Sequence, residues 1–322
     1  MSKEPKRPGR APVLDPKSAR YDLPCLLCGG SRRSVMHEKA PFQIVRCADC
    51  AFVFTLPRLS PEAIRAMYQT DYWNSAAAKD FGYTDYVADE PLYVKTFRMR
   101  GEWIARFKAP PAKLLDVGCA AGFALTALKG LGYDAFGVEL STAMAEVARR
   151  RLGPDGVTRI HCGVLEDVAK TLDPSRFSGG SRFDVITMFD VVEHIEDPIA
   201  FLATARSLLN PDGVLVFETQ NVASLFARLM GLKWQHYKFQ EHLYHFDPTT
   251  IRVLLEKAGL ELVTWSPRRG GKHVSLGFLV ERVGRIHPLL STLLAPLKLL
   301  ARRSLYLNVF DEMLVVARPK RA

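Results

Sequence analysis

Along the middle of the chain, short runs of consecutive apolar residues alternate with longer stretches in which apolar positions return every three or four residues. The first pattern predicts buried strands and the second amphipathic helices. Strands are predicted at 114–117, 135–138, 158–162, 183–189 and 214–218, with later ones at 261–265 and 312–317. Helices fall between them at 123–131, at 141–152 with Ser141 as N-cap, and at 198–209, where Asn210-Pro211-Asp212-Gly213 stops the turn. Strands and helices of this length in alternation imply an α/β, doubly wound parallel sheet with right-handed crossovers. Ligands of such sheets bind beyond the carboxyl ends of the strands.

The first of those ends carries a distinctive loop. Asp116-Val117-Gly118-Cys119-Ala120-Ala121-Gly122 leads into the helix at 123, and Glu139 closes the next strand. Two glycines let the turn bring its backbone against a ligand, and a carboxylate ending the second strand can accept from a ribose diol. A dinucleotide fingerprint has three glycines and room for a pyrophosphate; here the spacing is Asp-x-Gly-x-x-x-Gly, and Asp116 repels phosphate. The loop suits a nucleoside carrying positive charge, the alternative being a plain turn before a buried helix.

At these residues the chain resembles the class I S-adenosylmethionine (SAM) dependent methyltransferases. The resemblance implies a Rossmann-like, seven-stranded sheet in which the last strand is antiparallel. It also implies that Gly118, Cys119 and Gly122 lie along the methionine and ribose portions of SAM with Asp116 nearby, that Glu139 and Leu140 lie at the ribose, that Leu165 and Glu166 lie at the adenine, and that Phe189 borders the cofactor. Where that family often has an acid directly after the glycine, this chain has Val164. The segment from Asp184 through Phe189-Asp190-Val191-Val192-Glu193-His194 to Pro198 resembles the fourth strand and following loop of the branch that contains ubiquinone-type and sugar methyltransferases. The turn Leu208 to Gly213 resembles the one before their fifth strand.

Cysteine spacing adds an independent element. Cys25-x2-Cys28 and Cys47-x2-Cys50 flank strand-like stretches at 34–36 and 42–45, and Gly29-Gly30 follows the first pair. Four thiolates in two such turns suit a tetrahedral zinc ion and leave no open position, which makes the metal structural and the segment a zinc-ribbon lobe. Two disulfides are the competing reading and require an oxidising compartment. The first residues lack the apolar core of a signal peptide, which points to a cytoplasmic setting. Cys119 and Cys162 read as packing residues.

Methyl transfer from a sulfonium is an in-line displacement, so the protein must align the reactants in a dry pocket and supply a base where the acceptor loses a proton. Two segments offer one. His194 follows the fourth strand beside Glu193, and residues 234–246 gather His236, His242, His245, Glu241, Tyr237 and Tyr244. The bland role for one of these histidines is to cap the helix at Thr249 or to satisfy a buried carbonyl. Glu241-His242 before an aromatic pair resembles the base-bearing loop of bacterial deoxysugar C-methyltransferases, which also have a Cys-rich zinc lobe. The resemblance implies that His242 accepts the proton, oriented by Glu241, with His194 opposite. Those enzymes have a tyrosine where this chain has Phe239, and a third domain without counterpart in this sequence. O-methylation of a sugar or another hydroxylated metabolite, lipid-linked forms included, is therefore expected ahead of C-methylation of a ketosugar.

Two further readings stay open. Asp190-x2-Glu193-His194 with His236 or His242 resembles the metal site of small-RNA 2′-O-methyltransferases, and zinc-ribbon rRNA methyltransferases share the order of segments. A non-catalytic zinc-dependent scaffold is the other, and the intact Asp116, Gly118, Gly122 and Glu139 set argues against it.

The net charge of +10 from 44 Lys and Arg against 34 Asp and Glu suggests a nucleic-acid partner until it is located. Residues 1–20 hold +4 and residues 268–303 hold +7, which leaves the remainder near neutral at −1. A neutral core argues against nucleic acid as the acceptor. The chain divides into a basic tail at 1–20 expected to be disordered, the zinc lobe at 21–58, a connector or lid at 59–110 and the methyltransferase domain at 111–322. The connector carries Tyr68, Tyr72, Trp73, Phe81, Tyr83 and Tyr86. Within the insertion at 268–303, Leu289, Leu290, Leu293, Leu294, Leu297 and Leu300 form a helical stripe flanked by Arg282, Arg285, Lys298, Arg302 and Arg303, interrupted by Pro296. Such a stripe can rest on an anionic membrane through 282–303, on its own domain or on a second subunit of a homodimer. No stretch approaches twenty apolar residues, so no membrane span is expected.

Overall fold

The computed structural model describes residues 20–59, 90–171, 182–280, 294, 296, 300 and 303–321. The basic tail before residue 20, the aromatic residues of the connector and most of the leucine stripe lie outside these residues.

The central layer is a seven-stranded sheet. Its strands are β4 (Lys113–Val117), β5 (Asp134–Glu139), β6 (Ile160–Cys162), β7 (Phe183–Phe189), β8 (Leu209–Gln220), β10 (Leu260–Ser266) and β13 (Glu312–Pro319), in the order β10-β13-β8-β7-β4-β5-β6. β4 through β8 pair in parallel, whereas β13 runs antiparallel to both β8 and β10. Because side chains alternate across a strand, each central strand feeds two cores. On one face Leu115, Val117, Ile186, Met188, Leu215 and Phe217 pack under α4 (Leu165–Thr171), α5 (Pro198–Ser207) and α6 (Pro248–Lys257). On the other, Leu114, Val185, Val216, Leu314 and Val316 meet α1 (Glu90–Ile104), α2 (Phe123–Lys129) and α3 (Thr142–Leu152).

Helix starts follow local chemistry. Ser141 accepts from the Met144 amide, as expected of an N-cap. Asp197 caps α5 ahead of Pro198, and Asp247 caps α6 ahead of Pro248 with Thr250 completing a capping box. The cap at Thr249 is thus an aspartate and not one of the histidines. The turn expected at 210–213 lies inside β8: Phe183 pairs with Leu209, the register slips, and pairing resumes at Val185 with Val214. Asn210 donates to Asp184 at 3.0 Å across that slip, so a tertiary bond overrides the local preference for a turn.

The N-terminal lobe is a second sheet, β1-β2-β3-β9, built from β1 (Arg33–Lys39), β2 (Phe42–Cys47), β3 (Val53–Leu56) and the two-residue β9 (Tyr244–His245). Its fourth strand therefore comes from the segment after β8. Phe52, Phe54 and Leu56 join the same core as Tyr244 and Phe246, while Ile44 and Val53 pack with Trp234 and Tyr237. The insertion before β13 contributes a hairpin, β11 (Lys272–Ser275) with β12 (Ser304–Leu307). It is tied to α1 where the His273 amide donates to Thr96 Oγ1 at 2.9 Å. No helix among the described residues is long and apolar enough to cross a membrane.

Candidate active site

Beyond β4 the chain turns back on itself at Gly118, whose φ of +75° places it in the left-handed region. A Cβ there would stand 2.7 Å from Val191 of the loop after β7, so only glycine lets these two loops touch. The Gly118 and Cys119 amides both donate to Val138 O of β5, at 2.8 and 3.0 Å. Glu139 completes the cradle: its carboxylate accepts from the Ala120 amide at 2.8 Å and the Ser141 amide at 2.7 Å, with lone pairs left over. Burial raises its pKa, and these amides oppose the shift.

The other residues expected here differ in exposure. Asp116 lies beneath the turn, 2% exposed, holding the Thr187 hydroxyl at 2.7 Å, and burial raises its pKa to about 7. Cys119 is buried against Gly137, in keeping with a packing role. Leu140 and Phe189 are half-buried, the Phe189 ring 4.9 Å from that of Phe97 in α1. Leu165 is 1% exposed and belongs to the core, whereas Glu166 beside it is exposed.

A second set of groups gathers beyond β7 and β8. The turn Val192–His194 follows β7, and the segment after β8 returns so that the Leu243 amide donates to Glu193 O at 2.9 Å. His194 and His242 then face each other edge to face, ring centroids 4.7 Å apart. Ligand atoms of Glu193, His194 and His242 all lie within 4.8 Å of one another. Glu193 is buried, accepts from Thr219 at 3.0 Å, and is pushed up to about 8 by burial and by Asp190. Burial lowers His194 to about 3, and burial with neighbouring positive charge holds His242 well below its ordinary value, which favours the neutral imidazole in both. His242 Nδ1 is buried without a hydrogen-bond partner. The Glu241 carboxylate lies 3.4 Å from Lys238 Nζ, and its backbone bonds His194.

Further charged groups gather nearby, and among them Arg100, Lys272 and Glu312 carry no sequence motif. Arg100 of α1 forms a buried ion pair with Glu218 at the end of β8. Lys272 reaches from β11 to Glu312 at 2.8 Å and Asp190 at 3.4 Å. His236 Nε2 lies 3.5 Å from Asp311 and 3.4 Å from Glu312, and the Trp234 indole donates to Asp311 at 2.8 Å. One signal was available. Glu218 ends an apolar strand and Glu312 begins its antiparallel neighbour, which puts two acids on the same edge.

In the N-terminal lobe the four cysteines Cys25, Cys28, Cys47 and Cys50 converge, their sulfurs within 4.8 Å of one another and unbridged. The two knuckles match. Each first cysteine amide donates to the carbonyl five residues on at 2.9 Å, and Gly29 and Ala51 take the left-handed conformation at equivalent places. The Cys25–Cys50 and Cys28–Cys47 sulfur separations are 3.5 Å, near the edge of about 3.8 Å that a tetrahedron with Zn–S of about 2.3 Å requires.

Comparison with known proteins adds the family. The model of a methyltransferase domain family matches residues 95–264, more than half of the chain. The chain belongs to this family. The methyltransferase is 31% identical over 187 residues to the ubiquinone biosynthesis O-methyltransferase of Cereibacter sphaeroides, covering 53% of this chain and 73% of that protein. A ubiquinone biosynthesis O-methyltransferase of Actinobacillus pleuropneumoniae is 34% identical over 110 residues, 34% of this chain and 46% of that one. Among solved structures, the magnesium protoporphyrin IX methyltransferase of Synechocystis with bound SAH aligns over 81% of this chain and all of that one, at 14% identity and a TM-score of 0.49. By its family the chain is an enzyme of the SAM-dependent methyltransferase class, as its cofactor loop implied.

Proposed function

We propose that this methyltransferase transfers the methyl group of SAM to a hydroxyl oxygen of a sugar-containing or lipid-linked small molecule, with His242 accepting the hydroxyl proton. The facing imidazoles of His194 and His242 beyond the ends of β7 and β8 carry the reading. SAM supplies a methyl group already activated by the sulfonium. The residues that would hold it are Gly118, Cys119 and Gly122 by backbone, Glu139 and Leu140 at the ribose, Phe189 at the inner wall and Glu166 at the adenine edge, with Asp116 supporting the turn. The cradle fits such a ligand because Gly118 excludes a side chain and Glu139 keeps acceptor capacity. The chain's own work is to hold the acceptor in line, exclude water and take one proton. His242 is neutral and buried, and its unpartnered Nδ1 can receive that proton. The O-methyltransferases among its relatives support an oxygen acceptor. Cys25, Cys28, Cys47 and Cys50 hold one structural zinc ion.

A second reading is favoured by the closeness of Glu193, His194 and His242, which could hold a divalent cation that orients the acceptor oxygen. One experiment separates the two. Methyl-labelled SAM is offered with nucleotide sugars, total lipid extract or total RNA, with and without EDTA, to the wild type and to His242→Ala. Label in the sugar or lipid fraction, insensitive to EDTA and lost in His242→Ala with SAM affinity retained, is the expected result. Label lost to EDTA while zinc stays in the lobe favours the cation. Label in RNA overturns the acceptor assignment.

A further inference from the structure

The segment that carries His242 is held from two sides. On one side Leu243 donates its amide to Glu193 O, in the turn that bears His194. On the other it runs beside β3 of the N-terminal lobe: the Thr55 amide donates to Leu243 O at 3.0 Å, and Val53 and Phe54 pair with His245 and Tyr244. Arg58 closes the same edge, with its guanidinium 4.2 Å above the Tyr244 ring. Thr55 is 1% exposed, and its hydroxyl makes two contacts, to His242 O at 2.8 Å and to His245 Nε2 at 3.2 Å.

Those two contacts fix the protons. A carbonyl can only accept, so the single hydroxyl proton of Thr55 goes to His242 O. His245 must then donate from Nε2 to the Thr55 oxygen, which leaves its Nδ1 bare, and that atom is buried without a partner. One hydroxyl therefore sets the backbone of His242 and the tautomer of His245 together. A valine in its place keeps the shape and strands both groups in a buried site.

From this we propose that Thr55 is a positioning residue for His242, and that the N-terminal lobe is through it a working part of the methyl-transfer site. The proposal rests on the assignment of His242 given above. Without the hydroxyl, the His242 carbonyl turns to find another donor and carries its ring away from His194. A displacement of about 1 Å at a reacting group costs about 10²-fold in rate. The donor cradle lies on other loops and keeps its affinity.

The test uses the full zinc-loaded chain with a nucleotide-sugar mixture and methyl-labelled SAM as probes, and compares Thr55→Val, Thr55→Ser, His242→Ala and the Thr55→Val/His242→Ala double variant. Expected are a fall in turnover of about 10- to 100-fold for Thr55→Val, recovery to within about threefold for Thr55→Ser, and unchanged SAM affinity by calorimetry. The double variant should be no slower than His242→Ala, because Thr55 acts through that residue. Nitrogen-15 histidine spectra of the same chains supply a readout that needs no acceptor: His245 is an Nε2–H tautomer in the wild type, and Thr55→Val shifts both His242 and His245. Wild-type turnover in Thr55→Val, a Thr55→Ser variant as slow as Thr55→Val, or unchanged His242 resonances would each overturn the proposal. If His242→Ala alone is fully active, or the sugars take no label, the functional assignment fails instead, and the spectra still decide whether Thr55 places His242.

Discussion

The donor cradle and the acceptor-side cluster are built on opposite principles. The cradle around Gly118 and Glu139 is built mainly from residues 116–141, two strands and the turns that follow them, with Thr187 and Val191 against it, and its bonds are mostly backbone to backbone or backbone to carboxylate. The acceptor side draws on β3, α1, the loops after β7 and β8, the β11 hairpin and β13, and side chains take part in many of the bonds that join these elements, beside the backbone bonds of Leu243. On the function proposed above, a shared donor is met largely by one local motif and the acceptor by groups collected from the whole chain. Each half should therefore fail in its own way.

The largest expected effect isolates the acceptor half. His242→Ala should lower turnover by about 10³-fold, within the range for loss of a positioned base, while calorimetry shows SAM binding within about twofold of wild type. A joint loss of turnover and SAM affinity would erase the distinction between the halves. Arg100→Met comes next, because it leaves Glu218 buried and uncompensated. It should cost about 3–5 kcal/mol of stability by denaturant titration, and adding Glu218→Leu should restore most of it.

The mirror experiment addresses the donor half. Glu139→Gln keeps the size but weakens charge-assisted bonds worth about 1.5–3 kcal/mol, so SAM affinity should fall about 10- to 100-fold with turnover at saturation little changed. The smallest effect is expected at the opposite end of the central strands, where β7 begins. Burial pushes Asp184 up, but the Lys113 amide, Asn210 and Lys108 hold its carboxyl below the ordinary value. A depressed carboxylate adds stability above its unfolded pKa and loses it as pH falls through the folded one. Melting temperature should thus drop slightly more for wild type than for Asp184→Asn on acidification below about pH 4, a difference of under about 1 kcal/mol.

The same contrast governs what could be read from the amino-acid order. Alternation of apolar runs located the strands of the sheet, and the Asp116–Gly122 spacing with Glu139 located the cradle, because both are local patterns. Leu165 was harder to place: a residue at the start of a helix after β6 can face the ligand or the core, and packing against Val168 sends it to the core. Arg100 meets Glu218 across 118 positions and Lys272 meets Asp190 across 82, and no periodicity reports such meetings. His194 and His242 were visible as candidates by composition, but their edge-to-face approach depends on two hydrogen bonds of Leu243 that only the folded chain makes.

The pairing of β3 with Tyr244–His245 has a consequence for how the protein is made. Synthesis delivers the first three strands of the lobe early, yet their partner emerges roughly 190 residues later, about 10–40 s at ribosomal speeds of 5–20 residues per second. During that interval Val53–Leu56 offers an unpaired, apolar edge of the kind that invites foreign strands. A nascent chain of this enzyme is thus most in need of a chaperone while its catalytic sheet is still being translated.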